Sequence, residues 1–177
     1  MLFRSAESME VCFIAETGGG RRVFLGDRIP LRPGKIVDAD GAEVGQTDAV
    51  ELVTIGQRRN LGLSGAADRR YVVDIDVANA VVTVGDRDAL LRHGVTLHTV
   101  TLPLGPEFLG APLRVQTSAH GRPVVCTAEL VGDRLAVMFT EPQTRVAPGQ
   151  SVVLYATIAG ESTDSDVVIA GGIAMRD

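Results

Sequence analysis

The apolar residues of the chain fall in short runs, and many runs alternate with polar residues at the period of two that is typical of β-strands. Glycine, proline and aspartate separate these runs at intervals of about 8–12 residues, a spacing that favours β-sandwiches and barrels. No segment shows the apolar stripe of an amphipathic helix of four turns. We therefore predict an all-β fold with one or two short helices, arranged as two small β-barrel-like modules.

The first part of the chain is predicted to contain two hairpins, one short helix and two further strands. Residues 35–45 form the first hairpin, because Asp40-Gly41 supplies the turn that such a hairpin needs. The second hairpin joins strands at 71–76 and 80–84. The remaining elements are a strand at 11–14, one or two helical turns at 21–27 and a strand at 50–55.

The second part is predicted to consist of strands that follow a helical turn at 88–92. A segment between residues 101 and 112 contains three prolines and two glycines, which favour an irregular connection. We therefore place one module at 1–100 and a C-terminal β-barrel at 101–177. The predicted strands of this part, including the one that reaches the boundary, are 95–102, 113–118, 124–131, 135–140, 151–157 and 167–174.

Composition limits the class of protein. Apolar residues make up 45% of the 177 residues and charged residues 22%, which is a globular composition. The sequence has no apolar run of about 18 residues that would span a membrane. Its first ten residues lack the apolar core of a secretion signal. We expect a cytoplasmic protein with reduced thiols and no membrane contact.

The net charge of −5 argues against a nucleic-acid-binding protein, but the charges are unevenly distributed. Residues 1–70 contain ten basic and ten acidic residues, whereas residues 71–177 contain seven and twelve. All three adjacent arginine pairs lie in the balanced part. The forked guanidinium group suits phosphate and base edges, although a GC-rich genome is an equally good explanation for so much arginine. These pairs are Arg21-Arg22, Arg58-Arg59 and Arg69-Arg70.

Cys12 is the first candidate for chemistry. Arg4, Arg21 and Arg22 are near it in sequence and would favour its reactive thiolate form, whereas Glu10 would oppose it. The alternative is a small buried apolar residue, because its neighbours are apolar. The other cysteine, Cys126, lies in a valine-rich alternating strand, and we assign it to the core.

The segment 54–59 (TIGQRR) is the second candidate, because a predicted strand ends there and presents an amide and two guanidinium groups. The alternative is an ordinary solvated turn. Other kinds of site find no support. Two cysteines and three histidines lack the spacing of metal ligands, no phosphate-binding GxxxxGK[ST] loop occurs, and no hydrolase triad is recognisable. We expect no metal and no cofactor bound by this chain.

Several segments, in the same order, resemble the C-terminal part of the tRNA-specific 2-thiouridylase family. The most specific are the segment around Cys12 (SMEVCFI, 8–14) and the segment 54–63 (TIGQRRNLGL), in which Asn60 stands where the family has glycine. In the barrel, Gln116-Thr117-Ser118 stands where the family has Ile-Arg-Tyr. The other matching segments are 24–25, 33–45, 71–73, 82–85, 141–155 and 171–173.

The resemblance implies a role in thiolation of the wobble uridine of tRNA. Cys12 occupies the position of the family's persulfide-carrying cysteine, and a thiol is needed there for covalent sulfur transfer. The implied tRNA-binding residues are Gln57, Arg58 and Arg59, with Arg21 and Arg22. The family activates the uridine with ATP on an N-terminal PP-loop domain, which this sequence does not contain. ATP is therefore expected on a separate PP-loop partner, and the sulfur is expected from a cysteine desulfurase or a relay protein.

Two other hypotheses remain open. The chain is alternatively a stand-alone β-barrel module for binding or assembly, or a sulfur-relay protein that does not act on tRNA. A degenerate homologue with only structural residues is the third possibility. If the chain is the C-terminal part of a 2-thiouridylase, residues 1–30 should carry an apolar surface for the missing domain. Formation of a homodimer is another way to cover that surface.

Overall fold

The computed structural model describes residues 20–63, 70–158 and 165–176. The chain divides into two compact units, of which the first ends at Asp86 and the second begins at Arg87. The predicted all-β class is confirmed, since strands predominate and the described residues include only one short α-helix and three 3-10 helices. Cys12 and the strand predicted at 11–14 lie outside the described residues.

The first unit contains a four-stranded sheet with the strand order β2-β1-β4-β3. Both predicted hairpins are confirmed, and so is the predicted helical segment, which is helix α1. The hairpins join through a parallel pairing of β1 with β4, in which Ile36 lies opposite Val82 and both are fully buried. The elements are α1 (Gly20–Gly26), β1 (Gly34–Val37), β2 (Glu43–Thr47), β3 (Tyr71–Asp76) and β4 (Val81–Gly85).

The strand predicted at 50–55 is wrong, because Val50–Leu52 forms a 3-10 helix. The N–H of Val53 donates to the carbonyl oxygen of Val50 at 3.2 Å and closes the turn. Val50 and Val53 are both buried. Residues three apart lie on one face of a 3-10 helix, so this short helix buries the two valines together.

An ion pair fixes this 3-10 helix to the segment before β1. Arg32 Nε lies 3.0 Å from Glu51 Oε1, and the Arg32 backbone N–H donates to Glu51 Oε2 at 2.9 Å. Burial by itself would raise the pKa of Glu51, but the hydrogen bonds from Arg32 outweigh it and lower that pKa below its usual value. The Arg32 guanidinium also donates to the carbonyl oxygen of Val77, which lies in the connection between β3 and β4. The ion pair therefore attaches this connection to the 3-10 helix as well.

The second unit contains a closed six-stranded barrel with the strand order β10-β5-β8-β7-β6-β9. All six predicted strands are confirmed, with small changes of boundary. Their inward-facing residues form one core that includes Leu97, Leu113, Leu135, Leu154 and Ile169. The strands are β5 (Leu91–Thr101), β6 (Leu113–Gln116), β7 (Val124–Val131), β8 (Arg134–Thr144), β9 (Ser151–Ile158) and β10 (Ser165–Ala174).

The division between the units lies earlier in the chain than the sequence predicts. A boundary between residues 100 and 101 would cut β5, which pairs with both β8 and β10 in the barrel. The proline-rich segment is an internal connection of the second unit, and it contains the 3-10 helix Pro106–Gly110. Proline favours the start of a helical turn because its φ angle is already fixed.

Gly56 and Gly62, two of the four described glycines with positive φ angles in the first unit, have very different surroundings. Gly62 has a φ of 61°, and a Cβ added there would lie 2.6 Å from the carbonyl oxygen of Gln46. This close approach of backbones accompanies a bridge between Gly45 and Leu63. Gly56 has a φ of 80°, but nothing lies within 4 Å of the position of its Cβ.

Cys126 belongs to the barrel core, as the sequence predicts. Its side chain is buried against neighbours such as Leu113 and Phe139. Burial raises the pKa of the Cys126 thiol to about 11. The thiol is therefore protonated and shielded from solution near neutral pH.

Substitution of Gly56 and Gly62 by alanine should separate the cost of backbone strain from the cost of a steric clash. Gly56→Ala is expected to cost about 1 kcal/mol of unfolding free energy, because it adds only a strained φ angle. Gly62→Ala should cost about 1–3 kcal/mol more, because its methyl group would displace the backbone at Gln46. Chemical denaturation of the two variants measures the difference. Equal losses would contradict the close approach at Gly62.

The raised pKa of Cys126 should make the stability of the second unit depend on pH. The unfolded thiol ionises near 9.0, whereas the folded thiol ionises at about 11. The free energy of unfolding should therefore be fully retained below the first value and fall by a few kcal/mol as pH rises through this window. Denaturation curves of the parent chain and Cys126→Ala measure this component. The same pH dependence in both proteins would contradict the assignment.

Candidate nucleic-acid interface

The TIGQR segment forms a turn that is hydrogen-bonded to the sheet of the first unit. The N–H of Gly56 donates to the carbonyl oxygen of Val72 at 2.8 Å. In return, the N–H of Val72 donates to the carbonyl oxygen of Gln57 at 2.9 Å. Val72 lies on β3 and is fully buried. Two backbone hydrogen bonds therefore attach the turn to the core of the unit at Val72, on the edge strand β3.

The side chain of Gln57 closes this turn from within. Its Oε1 accepts from the backbone N–H of Thr54 at 3.1 Å and lies 3.3 Å from the Thr54 hydroxyl. Its Nε2 donates to the carbonyl oxygen of Arg59 at 3.0 Å. Both ends of the amide are thus used inside the protein, although the sequence suggested that Gln57 contacts tRNA.

Arg58, Arg59 and Asn60 are exposed residues that follow the turn. Asn60 has a φ of 58°, in the left-handed region that asparagine tolerates better than most residues. This conformation explains how asparagine is accepted at a position where the resembling family has glycine. The chain then returns to the core at Leu61, which is only 4% exposed.

The other candidate arginines lie on helix α1. Arg21 Nη2 donates to the carbonyl oxygen of Leu52 at 2.6 Å. Arg22 Nη1 lies 3.9 Å from Asp48 Oδ2, and both of these side chains are largely exposed. Because exposed ion pairs contribute little, Arg22 is easily released to another anion, whereas Arg21 helps to attach the helix near the 3-10 turn.

A cleft of about 380 Å³ in the first unit brings Arg22 and Gln57 together. Buried Ala49, Val53 and Leu61 contribute its apolar floor. Arg21, Arg58 and Arg59 are not part of its lining. Sequence reasoning missed the contributions of β2 and Asn60 to this cleft, because nothing in a hairpin sequence shows which face meets a distant turn. The remaining lining residues are Gln46, Thr47, Asp48, Leu52, Asn60 and Gly62.

Two negative findings apply to the described ranges of the chain. They contain no group of three or more histidine, cysteine, aspartate or glutamate residues arranged to hold a metal ion. None of their helices has the length and apolar character required to span a membrane.

Comparison with protein families assigns both units. Residues 22–86 match the tRNA methyl transferase PRC-barrel domain, and residues 106–173 match the aminomethyltransferase beta-barrel domain. The first match contains the sheet that carries the TIGQR turn, and the second contains the barrel strands from β6 to β10 except the last residue of β10.

Similar proteins include the tRNA-specific 2-thiouridylases MnmA of three mycobacteria. The Mycolicibacterium paratuberculosis protein is 40% identical over 176 residues, which cover 88% of this chain and 48% of that protein. The Mycobacterium tuberculosis protein is 40% identical over 174 residues, which cover 96% of this chain and 47% of that protein. The Mycobacterium ulcerans protein is 42% identical over 154 residues, which cover 84% of this chain and 42% of that protein.

The chain spans about half the length of these curated relatives. The order of the matched domains agrees with the order of the motifs around the TIGQR turn and in the barrel. The chain therefore belongs to the tRNA-specific 2-thiouridylase family and corresponds to its C-terminal part.

Proposed function

We propose that the chain acts as the C-terminal half of a tRNA 2-thiouridylase-like sulfurtransferase that thiolates the wobble uridine in the cytoplasm. The observation that carries the proposal is the exposed Arg58-Arg59 pair, which follows a turn hydrogen-bonded to the buried Val72 of strand β3. Two adjacent guanidinium groups on a fixed backbone suit the phosphates of an RNA. The similar proteins are named as tRNA-specific 2-thiouridylases, which supports RNA as the partner.

Cys12 is proposed as the cysteine that carries sulfur as a persulfide. The sequence contains two cysteines, and the buried, protonated thiol of Cys126 is unsuited to attack a sulfur donor. This leaves Cys12, in the segment that resembles the family's persulfide segment. The donor is proposed to be a cysteine desulfurase or a relay protein.

ATP-dependent activation of the uridine is assigned to a separate PP-loop partner. The chain matches only about half the length of the 2-thiouridylases, and the SGGxDS-type motif that the resemblance implies for the PP-loop domain does not occur in these 177 residues. The role proposed for these 177 residues is therefore to supply sulfur and to hold the tRNA.

The first unit is the better candidate for the tRNA platform. The two units have similar net charges, −3 for residues 1–86 and −2 for residues 87–177, but all three adjacent arginine pairs lie in the first unit. In the barrel, the side-chain amide of Gln116 donates to the carbonyl oxygens of Ser118 and Ala119. Its role there is to stabilise a turn, and no arginine occupies the segment 116–118.

Mass spectrometry after incubation with a cysteine desulfurase and cysteine tests the sulfur-carrying role. The Cys12 peptide is expected to gain the mass of one sulfur atom, and the Cys126 peptide is expected to remain unmodified because its thiol is buried. In a reaction reconstituted with the PP-loop partner, Cys12→Ser should abolish formation of 2-thiouridine. The matched variant Cys126→Ser should retain activity wherever it remains folded. Full activity of Cys12→Ser would refute this role.

A salt titration of tRNA binding tests the platform. Each phosphate contact that is lost should reduce the slope of log Kd against log salt concentration by about 1, so Arg58→Ala combined with Arg59→Ala should reduce it by about 2. Arg134→Ala is the control, because Arg134 is an exposed residue at the start of β8 in the second unit. Absence of tRNA binding at low salt would instead support the stand-alone binding module.

A further inference from the structure

We infer that Gln57 is a positioning residue that sets the geometry of Arg58 and Arg59 for RNA phosphates and does not contact the RNA itself. The inference rests on the proposed function, because it assumes that the arginine pair binds tRNA. It replaces the direct contact that the sequence suggested for Gln57 with a role inside the protein.

The amide group of Gln57 is already occupied within the protein. Its oxygen accepts from the backbone N–H of Thr54 and lies within 3.3 Å of the Thr54 hydroxyl, while its nitrogen donates to Arg59. A direct contact that used the oxygen would break the turn, because a carbonyl oxygen has two lone pairs and both are directed to Thr54. The side chain is also only half-exposed.

The side chain of Gln57 also restrains the backbone of the exposed segment 58–60. Backbone hydrogen bonds to Val72 end at Gln57, and the next buried residue is Leu61. For the residues between them, the described part of the chain shows one hydrogen bond to the backbone, which is the bond from Gln57 Nε2 to Arg59. This bond restrains the middle of a short segment that is anchored at both ends.

The restraint from Gln57 also lowers the entropy cost of binding a phosphate. An arginine that binds a phosphate through two N–H groups loses conformational freedom, and ordering a long side chain costs about 0.5–1.5 kcal/mol. A backbone that already holds the pair in place reduces this cost. Loss of the Gln57 hydrogen bonds should therefore weaken tRNA binding by about 3–10-fold through the arginines.

A double-mutant cycle on the 177-residue chain tests the inference. Gln57→Met keeps the size of the side chain and removes its hydrogen bonds. It should weaken tRNA binding and lower the salt slope in the parent chain, but have no further effect in a chain that carries Arg58→Ala and Arg59→Ala. A direct neutral contact would instead give the same loss in both backgrounds and leave the salt slope unchanged.

The control is Gln143→Met, which changes a glutamine on β8 of the second unit. Gln143 Nε2 donates to the carbonyl oxygen of Glu141 at 3.0 Å, so tRNA affinity should remain unchanged. Hydrogen exchange gives a readout that does not depend on RNA. The amide of Thr54 should exchange faster in Gln57→Met and at the parent rate in Gln143→Met, because only the former removes its acceptor.

The outcomes separate the two proposals. Additive losses in the cycle, or an unchanged Thr54 amide in Gln57→Met, overturn the positioning role while the proposed function stands. Absence of tRNA binding by the parent chain overturns the proposed function and, with it, this role of Gln57. Non-additive losses with faster exchange at Thr54 support the inference.

Discussion

The candidate interface depends on two backbone hydrogen bonds between Val72 and the turn at Gly56 and Gln57. Val72 is fully buried on β3, so these bonds transfer the rigidity of a hydrophobic core to a surface loop. Without them, the turn, the arginine pair and the return to Leu61 would form one long exposed connection. Long connections lose more entropy when they are ordered on a partner, and the sheet largely removes that loss here.

The two units bury and expose different residues. The second unit buries Cys126 in a barrel core and has a net charge of −2, from seven basic and nine acidic residues. The first unit has a net charge of −3, from ten basic and thirteen acidic residues, and its arginines have different local partners. Arg21 attaches a helix, Arg32 pairs with Glu51, and Arg58 and Arg59 are exposed to solution. The same residue type therefore serves structure and candidate recognition within one small sheet.

Local patterns predicted most of the strands and missed the features that depend on distant contacts. The Asp40-Gly41 turn and the alternation of apolar residues were sufficient for the hairpins and the barrel strands, because these signals act over a few residues. The alternation at 50–55 was misleading, since a 3-10 helix also buries Val50 and Val53. The parallel pairing of β1 with β4 and the place of β5 in the barrel are non-local, and no short pattern encodes them.

Local sequence patterns also predicted only part of the candidate site. The TIGQR segment was recognisable as a motif, and its arginines are exposed as expected for a binding surface. The sequence did not distinguish a glutamine that contacts a ligand from one that holds a turn, because that difference lies in the hydrogen bonds from Gln57 to Thr54 and Arg59. The cleft shared with β2 was equally inaccessible, because it forms only when the hairpin and the turn fold together.

Closure of the barrel has a consequence for how the second unit forms during synthesis. β5 is its first strand and β10 its last, and the two pair directly, with Gly171 opposite Thr101. As the ribosome delivers residues in order, β5 keeps one unpaired edge until nearly the whole unit has emerged. Such an edge is a template for association with other chains. The barrel is therefore most vulnerable to aggregation in the interval just before β10 is released.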